Sequence, residues 1–143
     1  MSAGSCLTLP TDLHEQILGH AWESRPKEAV GLLGGRPGGE VTLALPLPNV
    51  AAGNKRFIAD PFAQFCAFRR LASEGLELLA IYHSHPGGGL DPSADDLEHA
   101  KHWSCVHVIV AVGTHGRSFQ NLRAFRCVEM GSIEDVAIEV APG

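Results

Sequence analysis

The chain has 143 residues, an apolar share of 45%, a charged share of 19% and a formal net charge of −5. That length suits one domain with a real core, and the mix is ordinary for a globular protein. The acidic balance, with "FRR" at Phe68–Arg70 its densest basic spot, gives no nucleic-acid footprint, and no apolar run reaches the ~18 residues of a membrane-spanning helix.

Reading from the first residue, "MSAGSCLTLPTDLHEQ" has no charged stretch followed by a long apolar one, so no export signal is expected. The four cysteines, Cys6, Cys66, Cys105 and Cys127, are far apart and form no C-x-x-C pair. They read as reduced thiols of a cytoplasmic protein rather than a zinc ribbon or a redox dithiol. "PTDLHEQILGHAWESR" places Leu13, Ile17 and Ala21 on one helical stripe, with Thr11 or Asp12 as N-cap and Pro26 as its stop. "EAVGLLGG" reads as a buried strand and "GGRPGG" as a turn. "EVTLALPLPNV" puts Val41, Leu43, Leu45 and Leu47 on one face, and its two prolines suggest an edge strand.

"KRFIADP" reads as a further short strand. Asp60 then caps a helix that has Pro61 in its first turn and stops near Gly75. "LELLAIYH" is a buried strand, "SADDLEHAKHW" a short helix, and "VHVIVAV" and "LRAFRCV" are strands. "SIEDVAIEV" is either a last strand completing the sheet or an unpaired edge through which a homodimer could form. Helices interspersed with a mixed sheet predict an α/β sandwich with helices packed on the sheet. One domain over residues 1–143 is expected, its core spanning about 7–128.

Chemistry concentrates in "YHSHPGGGLDPSADD", Tyr82–Asp96. Residues i and i+2 of a strand share a face about 6.6 Å apart, so His83 and His85 can converge on one ion while Ser84 points the other way. Pro86 turns the chain at once and leaves the pair at a strand tip. Catalytic zinc takes three protein ligands and keeps a fourth position open, and Asp96 is the best third candidate. Simpler readings exist for each piece. Ser93 and Asp96 fit a capping box at a helix start. Asp95 and His99, four apart, could be a helix pair or an alternative ligand set. His102 could partner the helix dipole, and His99 and His102 read as surface residues rather than supports of the site.

The whole pattern, His-Ser-His-Pro, six residues, Ser93, two residues, Asp96, fixes six positions at once. It resembles the signature of the JAMM (MPN-plus) metalloprotease family in its compact, stand-alone prokaryotic form. "PKEAVGLLGG" (Pro26–Gly35) looks like that family's glutamate-bearing strand, and "PNVAAGNKRFIADP" is similar to its Asn…Phe…Asp-Pro connection. The likeness covers most of residues 10–128.

The resemblance implies a cytidine-deaminase-like three-layer sandwich and one catalytic zinc ion. It makes His83, His85 and Asp96 the zinc ligands, leaving Asp95 out. Glu28 becomes the general acid/base and Ser93 the hydroxyl that stabilises the oxyanion. Nothing in composition or periodicity selects Glu28 by itself. The loops around "NVAAGNKRF" and "GTHGRSFQN" are short, which resembles members acting on small ubiquitin-fold or sulfur-carrier proteins that end in Gly-Gly. The implied reaction is hydrolysis of the amide bond after that tail, carrying either an amino acid or a protein. A cell-wall peptidase of phage-tail type belongs to the same family but usually carries a fused second domain. The rival from another class is a scaffold that has lost catalysis, yet all five positions are intact here. A zinc deaminase would need His-x-Glu and Pro-Cys-x-x-Cys, and neither occurs.

Overall fold

A computed structural model gives the fold, and it describes residues 6–113 and 121–142. In chain order the elements are β1 (Cys6–Pro10), α1 (Thr11–Ser24), β2 (Val30–Arg36), β3 (Glu40–Leu47), α2 (Pro61–Ser73), β4 (Glu77–His85), α3 (Ala94–Ala100), β5 (Val106–Ala111), β6 (Asn121–Cys127) and β7 (Ile133–Ala141). The strands hydrogen-bond in the order β1-β3-β2-β4-β5-β6-β7 and close on themselves through β1. β2 runs antiparallel to β3 and β4, as β6 does to β5 and β7. β4 runs parallel to β5, and β1 parallel to β3 and β7. The sheet is therefore mixed, with helices on both faces.

Strand alternation decides what each face carries. Ala80 and Tyr82 of β4 join Leu33, Val108 and Val110 in a core closed by Ile17, Leu18 and Ala21 of α1. Ile81 points the other way, with Val30, Leu32 and Leu47, under Ala67 of α2. Ile109 and Phe125 pack beside Ala100 of α3 on that same outer face. Each fully buried aliphatic side chain contributes about 1.5–3 kcal/mol, so both faces are firmly held. His83 and His85 follow Ile81 at steps of two, and so emerge on the face covered by α2 and α3.

Glycine is needed where β2 meets Tyr82 of β4. Any Cβ at Gly31 would collide with the Tyr82 ring of the neighbouring strand. The Tyr82 hydroxyl, fully buried, is hydrogen-bonded to Nδ1 of His20 on α1 at 2.7 Å.

Several local expectations are corrected. α1 has Pro10 at its N-cap with no side-chain cap, and Thr11 instead donates its hydroxyl to the Ala141 carbonyl at 3.2 Å, tying the helix start to β7. β1, not anticipated, precedes that helix; only Leu7 and Leu9 carry its alternation, too short a signal to read. "KRFIADP" is not a strand; a single bridge, Asn49 to Ala59, pairs it. Register shifts between Gly34 and Gly35, which pair with Leu43 and Val41. That bulge sends Val41 into the α1 core, whereas Leu45 and Leu47 pack toward α2. β7 completes the sheet, paired on both sides by β6 and β1, so the unpaired edge that suggested a dimer is taken. Asp60 caps α2 as expected, accepting from the Ala63 N–H at 2.9 Å. Residues 114–120 of the "GTHGRSFQN" loop lie outside the described residues.

Candidate metal centre

His83 and His85 stand at the carboxyl end of β4, the parallel partner of β5, and α3 follows immediately. Asp96 reaches them from the first turn of α3. The Nε2 atom of His85 is 2.9 Å from Asp96 Oδ2, and His83 Nε2 is 3.1 Å from Oδ1. One ligand atom from each of the three lies within 4.8 Å of the others, and they form the group among the described residues able to hold a metal ion. Asp95 is exposed and His99 turns elsewhere, so that alternative ligand set does not form.

The capping reading and the ligand reading turn out to be one geometry. Ser93 is the N-cap, its Oγ accepting the Asp96 N–H at 3.0 Å, while Asp96 Oδ2 accepts the Ser93 N–H at 2.9 Å. The reciprocal pair fixes the aspartate rotamer and aims its carboxylate at the histidines. The glycine run also has a purpose. Gly88 and Gly89 adopt φ of 83° and 97°, a region costly for other residues. The resulting turn brings the Gly89 carbonyl to 3.1 Å from His85 Nδ1. A carbonyl can only accept, so Nδ1 donates, and neutral His85 presents the Nε2 lone pair inward. Metal-binding histidines are commonly oriented in this way.

Two atoms test whether an ion fits. His83 Nε2 and Glu28 Oε1 are both buried without a hydrogen-bond partner. His83 Nε2 is near Asp96 but not aligned for a hydrogen bond. Buried unpaired polar atoms are costly, and a cation beside them satisfies the imidazole directly. Two imidazoles and one carboxylate, with an acid beside them, are compatible with the three-ligand donor set that a catalytic zinc ion takes. The residues fit such an ion.

The electrostatics agree. Burial pushes the Glu28 carboxyl up to about 7, and the Asp96 charge adds to this while His85 opposes it. Burial alone would raise Asp96, but the close His83 and His85 imidazoles and the Ser93 N–H outweigh it and hold the group well below the usual carboxylate range. Burial lowers His83, whereas the Asp96 hydrogen bond raises His85. One carboxyl near neutrality beside another held ionised is an acid–base arrangement.

Three residues to which the sequence assigns no role at the site hold this group. Ser84 is fully buried, and its Oγ accepts the Ala29 N–H at 2.7 Å, with the Ala29 carbonyl accepting the Ser84 N–H at 3.0 Å. The serine between the histidines thus fastens the residue next to Glu28. The Phe57 ring stacks on His83 with centroids 4.5 Å apart and planes at 23°. Asn49 binds the Glu28 carbonyl at 2.8 Å. His99, expected at the surface, is half-buried instead, edge-on to Phe57 and to the buried His107; burial pushes it down to about 4. His102 is exposed beside Glu98 at 3.5 Å, as a surface residue.

Residues 10–128 match the family model described as prokaryotic homologs of the JAB domain. The chain belongs to that family. It is 44% identical over 114 residues, 79% of this chain and 74% of the other, to a probable TtuB-protein conjugate cleaving protease of Thermus thermophilus. It is 35% identical over 111 residues, 73% of this chain and 80% of the other, to the desampylase of Haloferax volcanii. Over 135 residues it is 26% identical to the CysO-cysteine peptidase of Mycobacterium tuberculosis, covering 94% of this chain and 90% of that one. A solution structure of a protein from Desulfitobacterium hafniense superposes with a TM-score of 0.84 at 28% identity, covering 96% of this chain and 94% of the other.

Proposed function

We propose that this prokaryotic JAB-family chain, a peptidase or isopeptidase, is a zinc-dependent hydrolase. Its substrate is the amide bond after the C-terminal Gly-Gly of a small ubiquitin-like or sulfur-carrier protein. The observation carrying the reading is the buried, unpartnered Glu28 carboxylate oxygen beside the His83–His85–Asp96 group. His83, His85 and Asp96 would hold the ion. Bound there, zinc supplies Lewis-acid polarisation of a carbonyl and acidifies water toward neutral pH.

The chain's own residues do the rest. Glu28, with a carboxyl near neutrality, accepts a proton from the attacking water and returns it to the leaving amine. Ser93 spends its Oγ lone pair on the Asp96 N–H, which leaves the hydroxyl proton to donate to a developing oxyanion. A Gly-Gly tail suits the site because residues without side chains approach it closely. The names of the relatives support the substrate class: two are named for cleaving or removing small-protein conjugates and one for a cysteine adduct. Reaction in the cytoplasm is part of the proposal. Among the described residues no helix is long and apolar enough to cross a membrane.

The test is cleavage followed by intact mass, using Gly-Gly-tailed small ubiquitin-fold proteins that bear either an added cysteine or a fused protein. Wild type is expected to cut after the second glycine, and Glu28→Gln is expected not to. The preferred tail then separates the two substrate types. If wild type with stoichiometric zinc cuts none of them, the reading fails and a non-catalytic protein-binding scaffold takes its place.

A further inference from the structure

Between β3 and α2 the chain runs through residues 48–60 with a single bridge as its only ladder contact. Such a segment needs another source of order, since its backbone groups have few regular partners. The side chain of Asn49 provides it. Its Nδ2 donates to the Glu28 carbonyl at 2.8 Å and to the Arg56 carbonyl at 3.2 Å. Its Oδ1 accepts from the Ala51 N–H and the Ile58 N–H, both at 3.0 Å. Both donors and both acceptor positions of the amide are thereby used.

The partners are telling. Arg56 and Ile58 flank Phe57, so two of the four bonds clamp the residue whose ring stacks on His83. A third bond holds the backbone of Glu28 itself. We infer that Asn49 is a positioning residue that ties the general acid/base Glu28 and the Phe57–His83 stack into one unit. Asn49 touches no reacting atom; it acts through the two groups it joins. This rests on the proposed roles of Glu28 and His83 and adds the device that keeps them in mutual register. Ser84 secures Ala29 from the sheet side, and Asn49 secures Glu28 from the loop side, so the acid is fixed between two anchors.

The alternative is a purely structural asparagine that shapes a surface loop. The two differ in what they move. A structural role lowers the melting temperature and leaves the zinc-loaded enzyme unchanged. A positioning role weakens zinc binding through His83, by roughly 10-fold or more as for other groups that orient ligands, and lowers kcat at saturating zinc through Glu28, with KM little changed.

The experiment uses the full chain as wild type, Asn49→Asp, Asn49→Ala, Phe57→Leu and Asn49→Asp with Phe57→Leu. Asn49→Asp keeps the acceptor atom for Ala51 and Ile58 but loses both donors and sets an oxygen against the Glu28 and Arg56 carbonyls, so circular dichroism and a thermal melt establish that each variant is folded before zinc binding is read. Zinc dissociation constants come from chelator competition, and kcat and KM from cleavage at saturating zinc. Expected are weaker zinc binding in Asn49→Asp and Phe57→Leu, less than multiplicative in the double variant, and a kcat loss of at least ~10-fold in Asn49→Asp. Phe57→Leu should lose less kcat than Asn49→Asp. If Asn49→Asp matches wild type in zinc affinity and kcat, the inference is overturned while the proposed function stands. If wild type itself neither binds zinc nor cleaves, both fall together.

Discussion

The two ends of the central β4–β5 pair make an instructive contrast. At the amino end, a cavity of about 440 Å³ opens between Cys6, Gly39, Glu77, Trp103, Cys105 and Arg126. At the carboxyl end the proposed metal centre is flanked by two clefts of only about 220 Å³ each, one beside Asp96 and Phe57, the other beside Glu28 and Asn49. The larger hollow has thiols, an acid and a base, but no three of them converge as a metal-binding group. The smaller region has buried polar atoms aimed at one point. Volume therefore says little here; convergence of unpaired donors says more. The location also follows the general preference of parallel strands for sites at their carboxyl ends.

The contrast can be broken or sharpened by substitution. Largest of all, Glu28→Gln should lower kcat by about 10²–10⁴-fold with zinc still bound, whereas His83→Ala should lose the zinc as well, as metal analysis after dialysis would reveal. Next, Ser93→Ala should cost roughly 10²-fold in kcat if the hydroxyl donates to an oxyanion, and about 1 kcal/mol of stability through the lost cap. Ser93→Thr should recover much of the stability, measured by thermal melts alongside turnover.

A third effect separates activity from stability. Glu28 has its folded-state carboxyl raised from 4.5 to about 7, so the folded protein binds the proton more tightly than the unfolded chain. By linkage, metal-free stability then falls as pH rises from about 4.5 to 7 and stays low above. Metal-free Glu28→Gln should therefore be more stable than metal-free wild type at pH 8, by up to about 3 kcal/mol, and no more stable at pH 4. Denaturant melts at the two pH values check this. An equal difference at both would remove the buried-carboxylate explanation. Smallest, Ser104→Ala at the exposed rim of the larger cavity should change kcat/KM less than ~2-fold.

What the sequence made legible follows from how local each signal is. The alternation of "HSH" at the end of an apolar run and the spacing to Ser93 and Asp96 are short-range, and the structure brings those residues together. Helix α2 was readable from Asp60-Pro61 for the same reason. Glu28 came only by resemblance, because its environment is made by residues distant in the chain, from Asn49 to Asp96. Asn49, Phe57 and Ser84 act through backbone bonds and ring stacking across elements, and neither leaves a periodic trace. The residues around Phe57 mimic a strand in composition, yet their backbone partners are the Asn49 amide and the one bridge to residues 48–50 rather than a continuous ladder. His99 looked superficial because helix α3 is short and polar; the rings of Phe57, Trp103 and His107 that enclose it come partly from other elements.

The most direct test of the central claim is a crystal structure of the zinc-loaded protein with anomalous data collected at the zinc edge. The account predicts one strong peak at about 2.0–2.2 Å from His83 Nε2, His85 Nε2 and an Asp96 carboxylate oxygen, with Glu28 beside it but outside the ligand set. A peak elsewhere, or Glu28 itself bound to the ion in place of Asp96, would contradict it.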